Sequence, residues 1–398
     1  MTTPPISSTA QWITDPAMLA ARLSVTPMRV GLDTEFIRER TYWPQLALVQ
    51  IAIDEDILLV DPLAPGIAAA LAPLLADRSV LKVMHSASED LVALKRACGV
   101  VPQPLFDTQI AAALAGVGAG VGYQRLVQET LGVALSKGET RSDWLRRPLS
   151  DSQLDYAADD VRHLFALHDV LDSRLQSLDR SAWLQEDCAR LISNAERDEL
   201  ERWPHLSLRA AQYLDQDAQR RLLRLLRWRD AYARDNDRPR TWILENDFAT
   251  ALARDPPSDV AALQRQLDAQ PKAPRRLGEA VWQALATPLA DESDSPSPRS
   301  DERDKQALRK LQDAVAARSA ELGLPDGVLA SRRWLEALLD SGLLDNGLLD
   351  TGSLGSRLLD GGALAGDTWP GPLAGWRRAQ LQAALLPAST QEATGGVQ

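Results

Sequence analysis

The residues whose types and spacing could do chemistry lie in three short stretches of the chain. Asp33 and Glu35 stand in GLDTEF, at the end of an apolar run. On a strand, residues two apart project from the same face, so the two carboxylates would sit side by side. Like charges that close repel, and sheltering them from water is costly unless a positive partner joins them. A divalent cation would be such a partner, although the pair alone reads more simply as two solvated acids. Asp90 follows in HSASEDL, directly after the apolar VLKVM. It falls in the first turn of a helix whose start Ser86 or Ser88 would cap, and by itself it is a helix-dipole acid. Tyr156 and Asp160 are four apart in YAADDV, on one helical face and roughly 6 Å apart along the axis. Asp159 points off that face, so spacing favours Asp160, though a Tyr/Asp pair of this kind is common on helix surfaces.

Elements able to position these groups can be read from the apolar pattern. Residues 28–36, 46–53, 57–61 and 80–84 read as short strands. The first three are joined by turns too short for crossover helices, which implies an antiparallel meander. Helical patterns follow at about 66–76, 88–97, 108–115, 122–131 and 151–175, so the expected unit is a mixed sheet covered by helices, ending near residue 195.

Two acids on a first strand, one acid at a helix start and a Tyr/Asp pair on a later helix together resemble the DEDDy exonuclease family. The flanking text TYWPQLALVQI, FDTQIAAALAG and LSKGETRSDWLRRPLSDSQLDYAADDV is similar to ribonuclease D over most of residues 10–200. The resemblance implies an RNase H-like α/β exonuclease fold. It also implies two ions of Mg²⁺ or Mn²⁺ held by Asp33, Glu35, Asp90 and Asp160, with Tyr156 orienting the attacking water. Such a pair of ions can clamp the attacking and leaving oxygens of an in-line displacement. Hard oxygen donors suit these ions rather than zinc. The expected reaction is removal of 3′-terminal nucleotides from structured RNA, by resemblance tRNA precursors, releasing nucleoside 5′-monophosphates. Rivals are a DNA exonuclease of the same superfamily and a non-catalytic RNA-binding protein.

The neighbours of these motifs admit plainer roles. His85 reads first as a hydrogen-bonded strand-end residue and second as a substrate contact. Asp107 reads as the N-cap of the helix beginning at Thr108. Lys137, Arg141 and Arg147 are open to two readings, phosphate contacts or solvated cations. Trp144 would fill the core or, alternatively, stack a base.

Beyond residue 198 the chain is helical, with patterns near 208–214, 215–235, 245–253 and 259–268. LLRWRDAYARDNDRP resembles the HRDC module, so residues 199–290 are read as a first all-α HRDC bundle. Residues 220–240 carry Arg220, Arg221, Arg224, Arg227, Arg229, Arg234, Arg238 and Arg240 against three aspartates, a local basic surface. Arg224 and Arg227 are its candidate phosphate contacts, since a guanidinium donates in pairs. The polar DESDSPSPRSDERD at 291–304 reads as a linker. Residues 305–398 resemble a degenerate second HRDC module, interrupted at 341–361 by a GLLD-rich stretch read as a flexible insertion or irregular loop.

Composition bounds the rest. The formal charge of −11 looks wrong for a nucleic-acid binder, but it is unevenly placed. Two cysteines about ninety positions apart leave no disulfide scaffold or cysteine-based zinc site. The N-terminus lacks the basic and apolar regions of a signal peptide, and no apolar run approaches the roughly 20 residues that span a bilayer. The expectation is a cytoplasmic protein with RNA as its partner, no membrane association and no protein partner implied.

Overall fold

The computed structural model describes residues 10–135, 139, 142–197, 199–295, 302–340, 369 and 371–385. Its centre is one six-stranded sheet built from β1 (Gln11–Ile13), β2 (Arg29–Ile37), β3 (Gln45–Ile53), β4 (Asp56–Val60), β5 (Leu81–Met84) and β6 (Leu105–Asp107), in the order β1-β4-β3-β2-β5-β6. The expected meander is present, with β2 and β4 both antiparallel to β3. The outer strands pair parallel, β1 on β4 and β5 and β6 beyond β2. β1 and β6 are three residues each, too short to show an alternating pattern in the sequence.

Period-two alternation in β2 sets the site. Val30, Leu32 and Thr34 are buried toward one face, which leaves Gly31, Asp33 and Glu35 on the other. A bulge between Glu35 and Phe36 ends the regular ladder at the second acid. β3 is buried along almost its whole length because both faces of this central strand are covered.

Helices α1 (Pro16–Arg22), α2 (Ile67–Ala76), α3 (Ser88–Cys98), α4 (Thr108–Leu114), α5 (Tyr123–Leu131), α6 (Asp151–Arg162), α7 (Leu164–Ser177) and α8 (Ser181–Arg197) surround the sheet. The single helix expected over 151–175 is two helices. The Tyr123 hydroxyl receives the backbone N–H of His163 at the break. Ser150 caps α6 in a reciprocal box with Gln153, which fixes the register of Tyr156 and Asp160.

Residues 211–285 close a separate core formed by α9 (Gln216–Asp235), α10 (Arg240–Ile243), α11 (Asn246–Arg254), α12 (Val260–Ala269) and α13 (Gly278–Ala286). The stretch expected to be a helix at 208–214 is a 3-10 turn, Arg209–Tyr213. The linker reading needs narrowing, because Asp291 to Ser295 are docked on this bundle. Asp291 and Glu292 meet Arg227 and Arg224, and Ser295 meets His205.

The second helical region does not close a core of its own among the described residues. Residues of α14 (Glu302–Leu322), α15 (Arg332–Asp340) and α16 (Trp376–Leu385) join the nuclease core instead. Trp376 stacks on Trp183 of α8 at 4.3 Å. Arg377 forms a buried two-point ion pair with Asp187 at 2.5 and 2.8 Å. The left-handed Gly116 lies so close to the Gly323 carbonyl that a Cβ there would come within 2.6 Å of it. The GLLD-rich stretch 341–361 lies outside the described residues.

Candidate active site

β2 delivers Asp33 and Glu35 to the face on which α6 and α7 pack. The Leu164 side chain of α7 lies 3.3 Å from where a Gly31 Cβ would be, so glycine lets that helix approach the sheet. α6 presents Asp160 to the two strand acids, and one carboxylate oxygen from each of Asp33, Glu35 and Asp160 lies within 4.8 Å of the others. Asp90 enters from the first turn of α3, 8% exposed. Its carboxylate takes a hydrogen bond from the Thr34 hydroxyl, on the opposite face of β2 from Asp33. Tyr156 stands one turn before Asp160 on α6, close enough for the two groups to act on each other's ionisation. Asp159 points away and pairs with Arg162 at 2.8 Å. The structure thus gathers Asp33, Glu35 and Asp160, sets Tyr156 beside Asp160, and brings Asp90 near enough for its charge to act on Asp33 and Glu35.

This arrangement holds negative charge against its electrostatic cost. Burial, followed by the charges of Asp90, Asp160 and Glu35, raises the Asp33 carboxyl well above the usual carboxylate range. Burial and the neighbouring Asp160 and Asp90 push Glu35 up to about 8. Burial raises Asp90 and Asp160 to about 7. Burial and the surrounding acids also hold the Tyr156 proton far above neutral pH. No cationic side chain relieves this repulsion: none forms an ion pair with any of the four acids among the described residues.

A divalent cation would relieve it, and the donor set fits one. All four acids offer hard oxygen, and Asp33, Glu35 and Asp160 form the one cluster of potential ligands among the described residues. The Gln50 side chain adds a second observation. It is fully buried on β3, opposite Asp33 in the ladder and therefore on the same face, and neither atom of its amide has a protein partner. An amide buried beside such a cluster needs a polar partner, and a hydrated cation supplies one. The sequence reading missed Gln50. Its only signal was a polar residue in the otherwise apolar LALVQIAI.

The supporting residues take their places around this centre. Asp107 caps α4 as expected, accepting the N–H groups of Gln109 and Ile110. It also accepts those of Ser86 and Ala87. The expected Ser86 or Ser88 cap for α3 is absent: the N-cap is Ala87, with no side-chain cap, and the Asp107 carboxylate instead holds the backbone just before the helix. His85 Nδ1 meets Thr108 Oγ1 at 2.9 Å, and because that hydroxyl donates to the Met84 carbonyl, Nδ1 carries the proton. The His85 ring lies edge-on to Tyr123, and burial keeps it neutral.

Several candidate substrate contacts are internal instead. Trp144 is 2% exposed and lies 6.1 Å from the Tyr156 ring, so it backs that residue from the core. Arg147 spends its guanidinium on Asp61, the Ala47 carbonyl and the Trp144 carbonyl. Arg224 is taken by Glu292 and the Leu285 carbonyl, and Arg227 by Asp291 and the Arg202 carbonyl. All three arginines, expected at the substrate, are paired within the chain instead. Their forks meet carboxylates of this chain, a pairing that a local count of basic residues cannot foresee. Lys137 and Arg141 lie outside the described residues.

Comparison with known proteins agrees with the geometry. The 3'-5' exonuclease family model matches residues 10–176. Ribonuclease D of Xanthomonas oryzae is 59% identical over 94% of this chain and 97% of its own length. That of Pseudomonas paraeruginosa is 37% identical over 95% and 97%. The crystal structure of Escherichia coli RNase D, described as an exoribonuclease involved in structured RNA processing, superposes with a TM-score of 0.71 at 30% identity. It covers 83% of this chain and 90% of that one. A sheet that sets four carboxylates and a tyrosine in one place, on a chain this similar along nearly its full length, leads to one assignment: the chain belongs to the ribonuclease D family of 3′→5′ exoribonucleases.

Proposed function

We propose that this protein trims single nucleotides from the 3′ ends of structured RNA, tRNA precursors among them, releasing nucleoside 5′-monophosphates. The observation that carries this reading is the half-buried carboxylate cluster of Asp33, Glu35 and Asp160, with Tyr156 beside Asp160 on the same helix. Asp33, Glu35, Asp90 and Asp160 would hold two divalent ions, Mg²⁺ or Mn²⁺. When bound, these acidify the attacking water and stabilise the leaving 3′ oxygen. The Thr34 hydroxyl restrains one Asp90 oxygen and leaves the other to bind. Tyr156 keeps its proton at neutral pH, so it orients water through its hydroxyl rather than acting as a base. Trp144 fixes the phenol's position from behind.

The helical bundle 199–290 would grip the folded body of the RNA while a single-stranded tail enters the site. Support for structured RNA comes from the description of the Escherichia coli relative. Among the described residues no helix is long and apolar enough to cross a membrane, and we place the protein in the cytoplasm with its RNA. The test is a tRNA precursor with a 3′ tail beside its DNA copy, with the products resolved by chromatography. Stepwise loss of 5′-monophosphates from the RNA is expected. Internal cleavage, or faster loss from the DNA, would overturn the proposal.

A further inference from the structure

A cavity of about 290 Å³ is lined by Arg38, Trp43, Glu89, Lys95, Arg96 and Glu199. It adjoins the catalytic acids through two elements. Arg38 follows Glu35 by three residues at the end of β2, roughly 10 Å along an extended strand. Glu89 precedes Asp90 on α3, and its charge contributes to raising the Asp90 proton affinity.

One cation on this wall, Arg96, differs from the arginines of the bundle. Lys95 is committed to the Ala195 and Glu196 carbonyls, and Arg38 pairs with Glu89 at 2.8 Å. Arg96 is exposed, and its guanidinium lies over the Trp43 ring at 4.9 Å. Among the described residues it has neither a carboxylate nor a hydrogen-bond acceptor. Indole contact fixes the direction of a guanidinium while leaving its N–H donors unused. Arg147, Arg224 and Arg227, by contrast, are consumed by carboxylates of the chain itself.

The helical bundle braces this wall. Asp237, in the left-handed conformation at φ 48°, accepts the backbone N–H groups of both Tyr42 and Trp43 at 3.0 Å. Arg240 donates to the Tyr42 hydroxyl at 3.1 Å. A second guanidinium, that of Arg234, also lies over Trp43 at 5.2 Å. The segment 38–43 is therefore held from the bundle side as well as by β2.

We propose that this cavity is the entry subsite for the RNA 3′ tail, in which Arg96, oriented by Trp43, binds a phosphate upstream of the terminal nucleotide. On this view the bundle serves the nuclease by shaping the subsite through Asp237, besides any contact of its own with RNA. The proposal rests on the exonuclease reading above and adds the path of the strand.

The test compares Arg96→Ala, Arg96→Lys and Asp237→Ala in the full chain on a single-stranded RNA octamer and on a dinucleotide, which fills only the catalytic centre. Arg96→Ala should raise KM for the octamer about five- to tenfold, leaving kcat, dinucleotide cleavage and thermal stability unchanged. The slope of log KM against log salt should fall by about 0.7, the value for one phosphate contact on a single strand. Arg96→Lys should recover part of the loss, and Asp237→Ala should show a smaller octamer-selective effect. If the wild-type protein shortens both RNAs and Arg96→Ala leaves the octamer KM unchanged, or impairs both substrates equally, the entry subsite is overturned on its own. If the wild-type protein shortens neither, the proposal falls together with the exonuclease reading.

Discussion

Replacing Glu35 by Gln should stabilise the metal-free protein while destroying its response to divalent ions. In the folded chain Glu35 is pushed from 4.5 to about 8 by burial and by Asp160 and Asp90. Its carboxyl therefore favours the fold only while protonated. That contribution is complete below the unfolded value near 4.5 and is lost as pH rises through about 8. At about 1.4 kcal/mol per pH unit, keeping the group ionised at a pH near 9 costs on the order of 5 kcal/mol, and near pH 5.5 only about 1 kcal/mol. Local relaxation and water entry lower the first figure, so the neutral amide should gain about 2–4 kcal/mol at high pH. For a domain of this size that is a midpoint increase of roughly 4–16 °C. Scanning calorimetry in EDTA at high and low pH reads it directly. Adding Mn²⁺ should reverse the order, raising the wild-type midpoint and leaving Glu35→Gln in place. A variant that is less stable than wild type in EDTA at high pH, or equally stabilised by Mn²⁺, would refute the view of the cluster as repulsive charge awaiting a cation.

Three further outcomes follow from the same geometry. Tyr156→Phe should lower kcat about a hundredfold or more, as for loss of a positioned proton donor, yet bind Mn²⁺ with wild-type affinity in calorimetry. Lost metal binding would contradict the water-orienting role. Arg147→Ala should lose about 2–4 kcal/mol of stability, because the Asp61 carboxylate is left unpaired, with KM for RNA unchanged in steady-state assays. A raised KM at unchanged stability would return Arg147 to the substrate surface. Arg377→Ala should cost about 1–3 kcal/mol and expose α16 to proteolysis, because Asp187 keeps Arg190 at 3.1 Å but loses its two-point partner, whereas Arg377→Lys should recover part of the loss.

The catalytic part of the molecule was legible in the sequence because each motif is local. A strand places Asp33 and Glu35 on one face, and a helix places Tyr156 and Asp160 on another, so spacing alone settles those neighbours. What eluded the sequence depends on contacts between distant segments. The entry to α3 is held by Asp107 of another strand, not capped by the serines beside it. Gln50 matters only because β3 pairs with β2 in a register that sets it opposite Asp33. Arg224 and Arg227 looked like phosphate contacts until Glu292 and Asp291, more than sixty residues away, were seen to fill their forks. Likewise the last helices carry an amphipathic pattern that does not say which apolar surface they cover. Here it is the core of the nuclease domain.

The most direct test of the central claim is incubation of the purified protein with a 3′-tailed RNA in Mg²⁺ or in EDTA, beside Asp33→Asn. A ladder that shortens from the 3′ end, absent in EDTA and absent with the variant, is the result predicted. Shortening that survives EDTA, or RNA that is bound but never shortened under any divalent ion, would contradict it.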